Sequence, residues 1–435
     1  MKAADWLGAL LLAVAPAGPV VAQPAGATAA ELSAIDRVWS GHYVPFALAV
    51  GERAILVANY DANRQLTVAR RPRDGSYWTY HRLDSWTGWD SHNAIAMAVD
   101  ANGEVHVVAN MHNDPLVYFR STGGDDVRTL ERVPAMADPA LEQRMTYPVF
   151  LHDGEGRLIF KYRDGGSGNG NEIYSRYDPA GRSWHKLLAA PLVDGEGQRN
   201  AYFVGPVLGP DGWFHLAWVW RDTPDAATNR DLSYARSRDL QSWERSDGTP
   251  LPLPIRLPDA EVVDPVPVRG GMINNNTVPG FDQQGRVLIT YHKFDAAGQT
   301  QIFVARREAD GWRSVQVTRW PDFRWDFGGG GSLASRLTVS GAEPLGEDRL
   351  TIRVVRDGAP LLLTLNSATL ALIGEAPDRR LADRLASGLA VPQGMQLHTI
   401  EDANGFAIAW PTLPPHRDLP LTDIPPPTVL RLVEP

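Results

Sequence analysis

The chain reads as an all-β protein, a seven-bladed β-propeller, and three observations lead there. One phrase recurs: a strand, a turn carrying Asp or Gly, then an apolar run that ends in polar residues. A second phrase follows the turn, an apolar strand, a polar turn and a tryptophan. No segment beyond the N-terminal region offers a long 3.6-residue period, so helices should be few. Period-two patterning at roughly fifty to seventy residues per repeat matches a propeller blade, a four-stranded sheet whose apolar faces are buried only against neighbouring blades.

The elements follow in order. Residues 1–22 read as an export signal: Lys2, the apolar LGALLLAVAPAGPVVA, and the small residues Val20 and Ala22 before a cut after Ala22, with Asp5 an unusual guest in the charged region. Residues 23–435 are expected to form a single propeller domain, periplasmic or secreted. No later stretch has eighteen consecutive apolar residues, so no membrane association is expected once the signal is removed. The repeat appears as AVDANGEVHVVANMH around Gly103, FLHDGEGRLIFKYRD around Gly156, VLGPDGWFHLAWVWRD around Gly212, GFDQQGRVLITYHKFD around Gly285 and IEDANGFAIAWP around Gly405. Weaker copies, FALAVGERAILVANYD near Gly51 and LTVSGAEPLGEDRLTIRVVRDG near Glu347, bring the number to seven. The tryptophans of the second phrase, Trp78, Trp184, Trp243 and Trp312, read as blade-packing residues.

Composition sets the outer limits. A chain of 435 residues with 43% hydrophobic content and fourteen tryptophans can bury a substantial core. A formal charge of -9 argues against nucleic acid or an acidic membrane as partner, since either needs a basic face. An anionic substrate must then be met by locally placed arginines. With no cysteine there are neither disulfides nor thiolate metal sites.

The most informative stretch is DSHNAIAMAVDANGEVHVVANMHNDPLVY, from Asp90 to Tyr118. Its two alternating runs, joined through Asp100-Ala101-Asn102-Gly103, predict a hairpin whose outer ends carry His92 and His112. In an antiparallel pair those ends share one sheet edge, so the imidazoles should be neighbours. Paired histidines are a candidate acid/base site, because imidazole exchanges protons near neutral pH. Aligning the repeats on their glycines places His112, Arg163, Arg221 and His292 just past the second strand. His92, Tyr147, Tyr202 and the Asn274-Asn275-Asn276 run then fall near the start of the first. Four blades should thus bring His, Tyr, Arg and Asn to one end of the central channel.

These residues carry a resemblance. The motifs WDSHN, NMH, TYPVF and YRDGGSGNGNEIY, in that order within the span from Val38 to at least Asp295, resemble the seven-bladed propeller lyases acting on rhamnose-uronate linkages. These are the ulvan lyases and the related lyases that release rhamnosyl-glucuronate caps from gum arabic. The resemblance implies a catalytic group of His92, His112, Tyr147 and Arg163, with the family-like separations of twenty and sixteen residues. It implies an exported enzyme that cleaves an anionic, uronate-containing polysaccharide or oligosaccharide by β-elimination. The family's zinc site uses cysteines, so that form of site is absent here. No metal and no cofactor is expected to be required, although the resemblance leaves room for structural calcium.

Elimination of a 4-linked uronate needs a base for the C5 proton, charge stabilisation at the carboxylate and an acid for the departing O4. Arg163 suits the carboxylate through its planar fork. His112 is the preferred base and Tyr147 or His92 the preferred acid, although the sequence does not order them, and a tyrosine with a pKa lowered by the arginine could serve both steps. Arg163 has a purely structural alternative as an ion-pair partner of Asp164 or Glu172. Asn93, Arg199, Asn200, Tyr202, Arg221, Asn275 and His292 are candidates for reading neighbouring sugars. GGSGNGN, from Gly165 to Asn171, lacks the lysine of a phosphate loop and suggests a tight turn over the site, and GGGGS, from Gly328 to Ser332, a flexible loop. Two other functions fit the fold: a hydrolytic exo-glycosidase of rhamnosidase or sialidase type, and a non-catalytic carbohydrate-binding propeller. The protein is expected to be a monomer.

Overall fold

A computed structural model describes residues 32–166, 168–331, 333–379 and 389–435. The expected export signal lies outside them. Among the described residues the fold is all-β, with two single-turn 3-10 helices, Val127–Thr129 and Ala226–Thr228. The chain groups into two compact units. Of the described residues, one takes in those up to Gly166, Glu172–Leu187 and the segment ending at Pro435; the other takes in residues 168–171 and Leu188–Arg379.

The first unit holds four antiparallel sheets. Three of them are meanders: Ala47–Val50, Ala54–Tyr60, Gln65–Pro72 and Thr79–Trp86; Ala96–Val99, Val105–Val108, Tyr118–Ser121 and Leu130–Arg132; and Met145–His152, Leu158–Asp164, Asn171–Asp178 and Ser183–Lys186. The third meander gains a fifth strand, His112–Asp114, beside Met145–His152. In the fourth sheet Leu32–Val38 pairs with Thr428–Val433, which is followed in turn by Ala407–Thr412 and Gln396–Glu401. The second unit repeats the pattern in sheets built on Asn200–Leu208, Phe214–Arg221 and Asn229–Ser237; on Val278–Phe281, Val287–Phe294, Thr300–Glu308 and Gly311–Gln316; and on Leu337–Val339, Arg349–Arg356, Ala359–Asn366 and Leu372–Pro377.

The sequence pattern explains the layering. The second strand of several sheets is a continuous run buried at every position, as in AILVANY at Ala54–Tyr60, LIFKYRD at Leu158–Asp164 and FHLAWVWR at Phe214–Arg221. Continuous apolar runs are what a strand covered on both faces requires. The outer strand Thr79–Trp86 alternates between exposed and less exposed positions, the signature of one wet face. Trp184 and Trp243 are buried in the core, as the packing role predicts, and Trp312 sits against Tyr234 while its indole donates to Glu261.

The recurring turn also has a physical cause. Gly103, Gly156, Gly212, Gly285 and Gly405 adopt φ values from 74° to 82°, the left-handed region where a side chain would be strained. Three residues before four of them, Asp100, Asp153, Asp282 and Asp402 each accept two backbone N–H bonds on one carboxylate oxygen. Aspartate closes the loop and glycine permits its bend, which is why both recur in the sequence.

Candidate active site

The hairpin forms as predicted, with Ala96 opposite Val108 and Val99 opposite Val105, around the turn closed by Asp100 and Glu104. His92 lies in the segment that leads into it. His112 does not simply trail from the second strand: it opens a short strand of the next sheet, opposite Thr146. On the other side of Thr146 stands Arg163. One register line therefore runs from His112 through Thr146 to Arg163. The Thr146 hydroxyl fixes this row, accepting from the Asn113 N–H at 2.8 Å and donating to the Gly165 carbonyl at 2.7 Å.

Tyr147 follows Thr146 in a β-bulge, where Thr146 and Val149 on one strand face Arg163 and Lys161 on the other. Its φ is 54°, a left-handed conformation that costs a bulky residue energy, and Pro148 after it has no N–H to offer the ladder. A bulge re-aims a side chain. The Tyr147 ring centroid lies 6.1 Å from that of His92 and 6.0 Å from that of His112. The two imidazoles are stacked, with centroids 4.2 Å apart and planes 22° from parallel.

Sequence reasoning did not single out the residue that holds this pair. The Asp90 carboxylate spans both rings, one oxygen 2.7 Å from His92 Nδ1 and the other 2.5 Å from His112 Nδ1. Burial pushes the Asp90 carboxyl up, but the bonds from His112 and His92 outweigh it and hold it well below the usual carboxylate range. Burial likewise opposes a charge on His92, and it is overcome by the Asp90 bond, the Asp90 charge and the Asp418 charge, which together raise its pKa. Two imidazolium charges at the stacking distance would repel by about 4 kcal/mol at an effective dielectric of 20, so double protonation is disfavoured.

The loop carrying Asp90 is anchored from below and above. Trp89 packs edge-on against Trp39 at 5.2 Å and lies under the Arg64 guanidinium at 4.4 Å. From the C-terminal segment, Asp418 accepts the Ser91 N–H at 3.0 Å and the Ser91 hydroxyl at 2.7 Å. Its other oxygen stands 3.8 Å from His92 Nδ1. Asp418 carries no sequence motif and could not have been found from the repeats, whereas an Asp two residues before His92 is a local pattern that signals a side-chain to backbone turn. That turn is present, from the His92 N–H to Asp90.

Asp90, His92 and His112 are also the one group among the described residues whose histidine and carboxylate donors gather within 4.8 Å. Donors sharing a tetrahedral zinc at ordinary bond lengths stand roughly 3.4 Å apart. The separations of 2.7 and 2.5 Å are those of charge-assisted hydrogen bonds, so the arrangement suits protons better than a cation.

Of the ion-pair partners that the sequence offers Arg163, which is itself buried, Glu172 feels its charge, and that charge opposes the rise burial gives the Glu172 pKa. Asp164 meets Arg144 at 3.0 Å and Glu172 meets Lys161 at 3.5 Å. Of the sugar-reading candidates, Asn93 is in this unit but buried, with its backbone carbonyl accepting the Tyr60 hydroxyl. The remaining candidates belong to the second unit. Asn200 and Arg221 are register partners, the Arg221 guanidinium lies 5.0 Å over the Tyr202 ring, and the Tyr202 hydroxyl accepts the Gly168 N–H. All three are buried: Tyr202 lies inside its strand, while Asn200 and Arg221 pair at strand ends that are covered, not open to solvent. Arg199 is paired with Asp222 and Asp231. Asn275 is exposed at φ 66°. His292 falls inside strand Val287–Phe294, is 0% exposed and stacks on Trp325, and burial lowers its pKa to about 4. It is a neutral core residue here, not a sugar contact at a strand end.

The pattern of the BNR repeat-containing family matches residues 55–320. The chain is 26% identical over 178 residues to the long isoform of ulvan lyase from Glaciecola sp. (strain KUL10), covering 31% of this chain and 17% of that protein. It is 24% identical over 196 residues to the short isoform from Alteromonas sp. (strain LOR), covering 35% of this chain and 37% of that protein. The matches thus span well under half the length of these relatives. Among solved structures, polysaccharide lyase Uly1 superposes with a TM-score of 0.62 at 14% identity over 90% of each chain. A PL25 ulvan lyase bound to -[GlcA(1-4)Rha3S]- superposes with a TM-score of 0.62 at 12% identity, over 92% of this chain and 95% of that one. The fold is therefore that of the ulvan lyase structures.

Proposed function

The chain belongs to the BNR repeat-containing family, and from that premise we propose that it is a polysaccharide lyase cleaving a uronate-containing, rhamnose-rich polysaccharide by β-elimination. The observation that carries the proposal is the meeting of His92, His112 and Tyr147 beside the register row that ends in Arg163, in a fold shared with ulvan lyases. The bound -[GlcA(1-4)Rha3S]- of one such structure supplies the substrate class, a glucuronate joined to a sulfated rhamnose in an anionic polymer.

In the reaction Arg163 holds the uronate carboxylate bidentately, which makes the C5 proton more acidic and stabilises the dianionic intermediate. Neutral His112 takes that proton. The electron pair forms the C4–C5 double bond as the C4–O4 bond breaks, and O4 leaves with a proton from Tyr147 or His92. No cofactor enters. We read residues 23–435 as one seven-bladed propeller, exported to the periplasm or beyond and monomeric.

A hydrolase would need a carboxylate pair about the glycosidic bond. Asp90 is committed to two histidines and Asp418 to Ser91, which favours elimination. The test is incubation with ulvan and with gum arabic. Ultraviolet absorbance from an unsaturated uronate is expected with at least one of them; reducing ends without that absorbance would replace the lyase with a glycosidase, and binding with neither would leave a lectin-like propeller.

A further inference from the structure

We infer that Asp90 is the positioning residue that sets the order of proton transfer: it accepts the Nδ1–H hydrogen bonds of both His92 and His112, and so turns one ring into the acid and leaves the other as the base. The inference rests on the lyase reading for its chemistry, but its geometric part stands without it.

An ionised carboxylate can only accept hydrogen bonds. Both Nδ1 atoms must therefore carry hydrogen, and in each ring Nε2 is the atom that exchanges a proton. Two neutral rings would offer the site two bases, with Tyr147 as its one acid. One proton added to the pair gives one of each, balances the single Asp90 charge and avoids the repulsion of two stacked cations.

Position decides which ring receives that proton. Asp418, arriving from the C-terminal segment, has a carboxylate oxygen 3.8 Å from His92 Nδ1. His92 thus faces two carboxylates, those of Asp90 and Asp418, while His112 shares Asp90 and has the Asp114 carboxylate on its own backbone N–H. Among the described residues, Tyr147 also faces the pair, and on the buried side of the Asp90 loop stands His42, which burial keeps neutral by lowering its pKa to about 4. His92 is then the imidazolium that protonates O4. His112 is the neutral ring that removes the C5 proton. After one turnover His112 holds the added proton and His92 has lost it, and a proton passing from one ring to the other through solvent restores the starting state.

Two measurements on the full chain separate this inference from the lyase assignment. In protein carrying 15N-histidine, the resonances lost in H92A and H112A should report Nδ1-protonated rings in the unsubstituted chain, with His92 titrating at the higher pH. Nε2-protonated neutral rings, or His112 titrating first, would overturn the inference whether or not the protein cleaves ulvan. In the elimination assay, Asp90→Asn should lose about a hundredfold or more in kcat, because an amide cannot accept from both rings. The alkaline limb of its pH–rate profile should move to lower pH, since His92 loses the partner that raises it, and Asp90→Glu should restore part of the rate. An Asp90→Asn enzyme with the full rate and an unmoved profile would reduce Asp90 to scaffolding. The tautomer measurement needs no variant at Asp90, so it decides the question even if Asp90→Asn fails to fold.

Discussion

Two Asp–His arrangements occupy opposite ends of the hairpin Ala96–Val108, and they behave in opposite ways. At the turn end, His106 Nδ1 meets the Tyr118 hydroxyl at 2.8 Å and its Nε2 lies 3.4 Å from Asp100. His106 is wholly buried and ringed by Tyr177, Trp184 and Phe150. Desolvation lowers its pKa despite the aspartate. At the other end the side chains of Asp90, His92 and His112 are 33%, 24% and 20% exposed, and the carboxylate prevails over burial to raise His92. The same residue types build a packing element in one place and, on the proposed reading, a proton-handling site in the other. Solvent access, more than composition, separates them. The second unit repeats the turn-end version, with His215 between Tyr234 and Asp211, as a structural device would be repeated.

Substitutions should pull the two ends apart. The largest effect is expected at the open end: His112→Ala and Arg163→Lys should each cut elimination by about a hundredfold to ten-thousandfold without loss of fold, the first by removing the base and the second by replacing a bidentate fork with a point charge. Unsaturated product measured beside a thermal melt checks both claims, and a fully active Arg163→Lys would assign that arginine to structure. At the closed end the effect should reverse. His106→Ala opens a cavity and strands the Tyr118 hydroxyl, so a loss of roughly 2–4 kcal/mol in unfolding free energy is expected, with kcat of the remaining folded protein close to normal. An active-site-sized drop in kcat would merge the two ends into one network.

The smallest effect is the pH dependence of stability. His106 has a lowered folded pKa, so its contribution is complete above the ordinary histidine value of about 6.5 and declines as the pH falls below it. His92 has a raised one; its contribution is present below that ordinary value and is lost as the pH rises through the folded pKa. Removing each ring in turn should therefore change the slope of stability against pH between about 5 and 8 in opposite directions. Denaturant melts across that range would show it, and slopes changing in the same sense would contradict the contrast.

Much of this was legible in the sequence, for reasons that particular residues make plain. The turn glycines and their aspartates are local devices, so the repeats could be read directly, and the hairpin logic brought His92 to His112 across twenty residues. Alignment by repeat erred where strands differ in length. His292 and Arg221 occupy the same slot as His112, but the strand of His292 runs through it, and Arg221, the last residue of its own strand, is covered there as well. Asp418 was out of reach, because its contact with Ser91 spans 327 residues and leaves no periodic trace. The strained φ of Tyr147 was equally hidden, since a bulge depends on the register of two strands and not on either alone.

The sheet that joins Leu32–Val38 to Thr428–Val433 bears on when the molecule can work. Asp418, which tops His92, lies ten residues before the strand that completes this sheet. During synthesis the histidines, the tyrosine and the arginine all emerge long before that segment does. Asp418 is carried by the segment leading into Thr428–Val433, so the hold it has on Ser91 beside His92 depends on a pairing between stretches nearly four hundred residues apart, a contact that forms late in folding compared with the local hairpins.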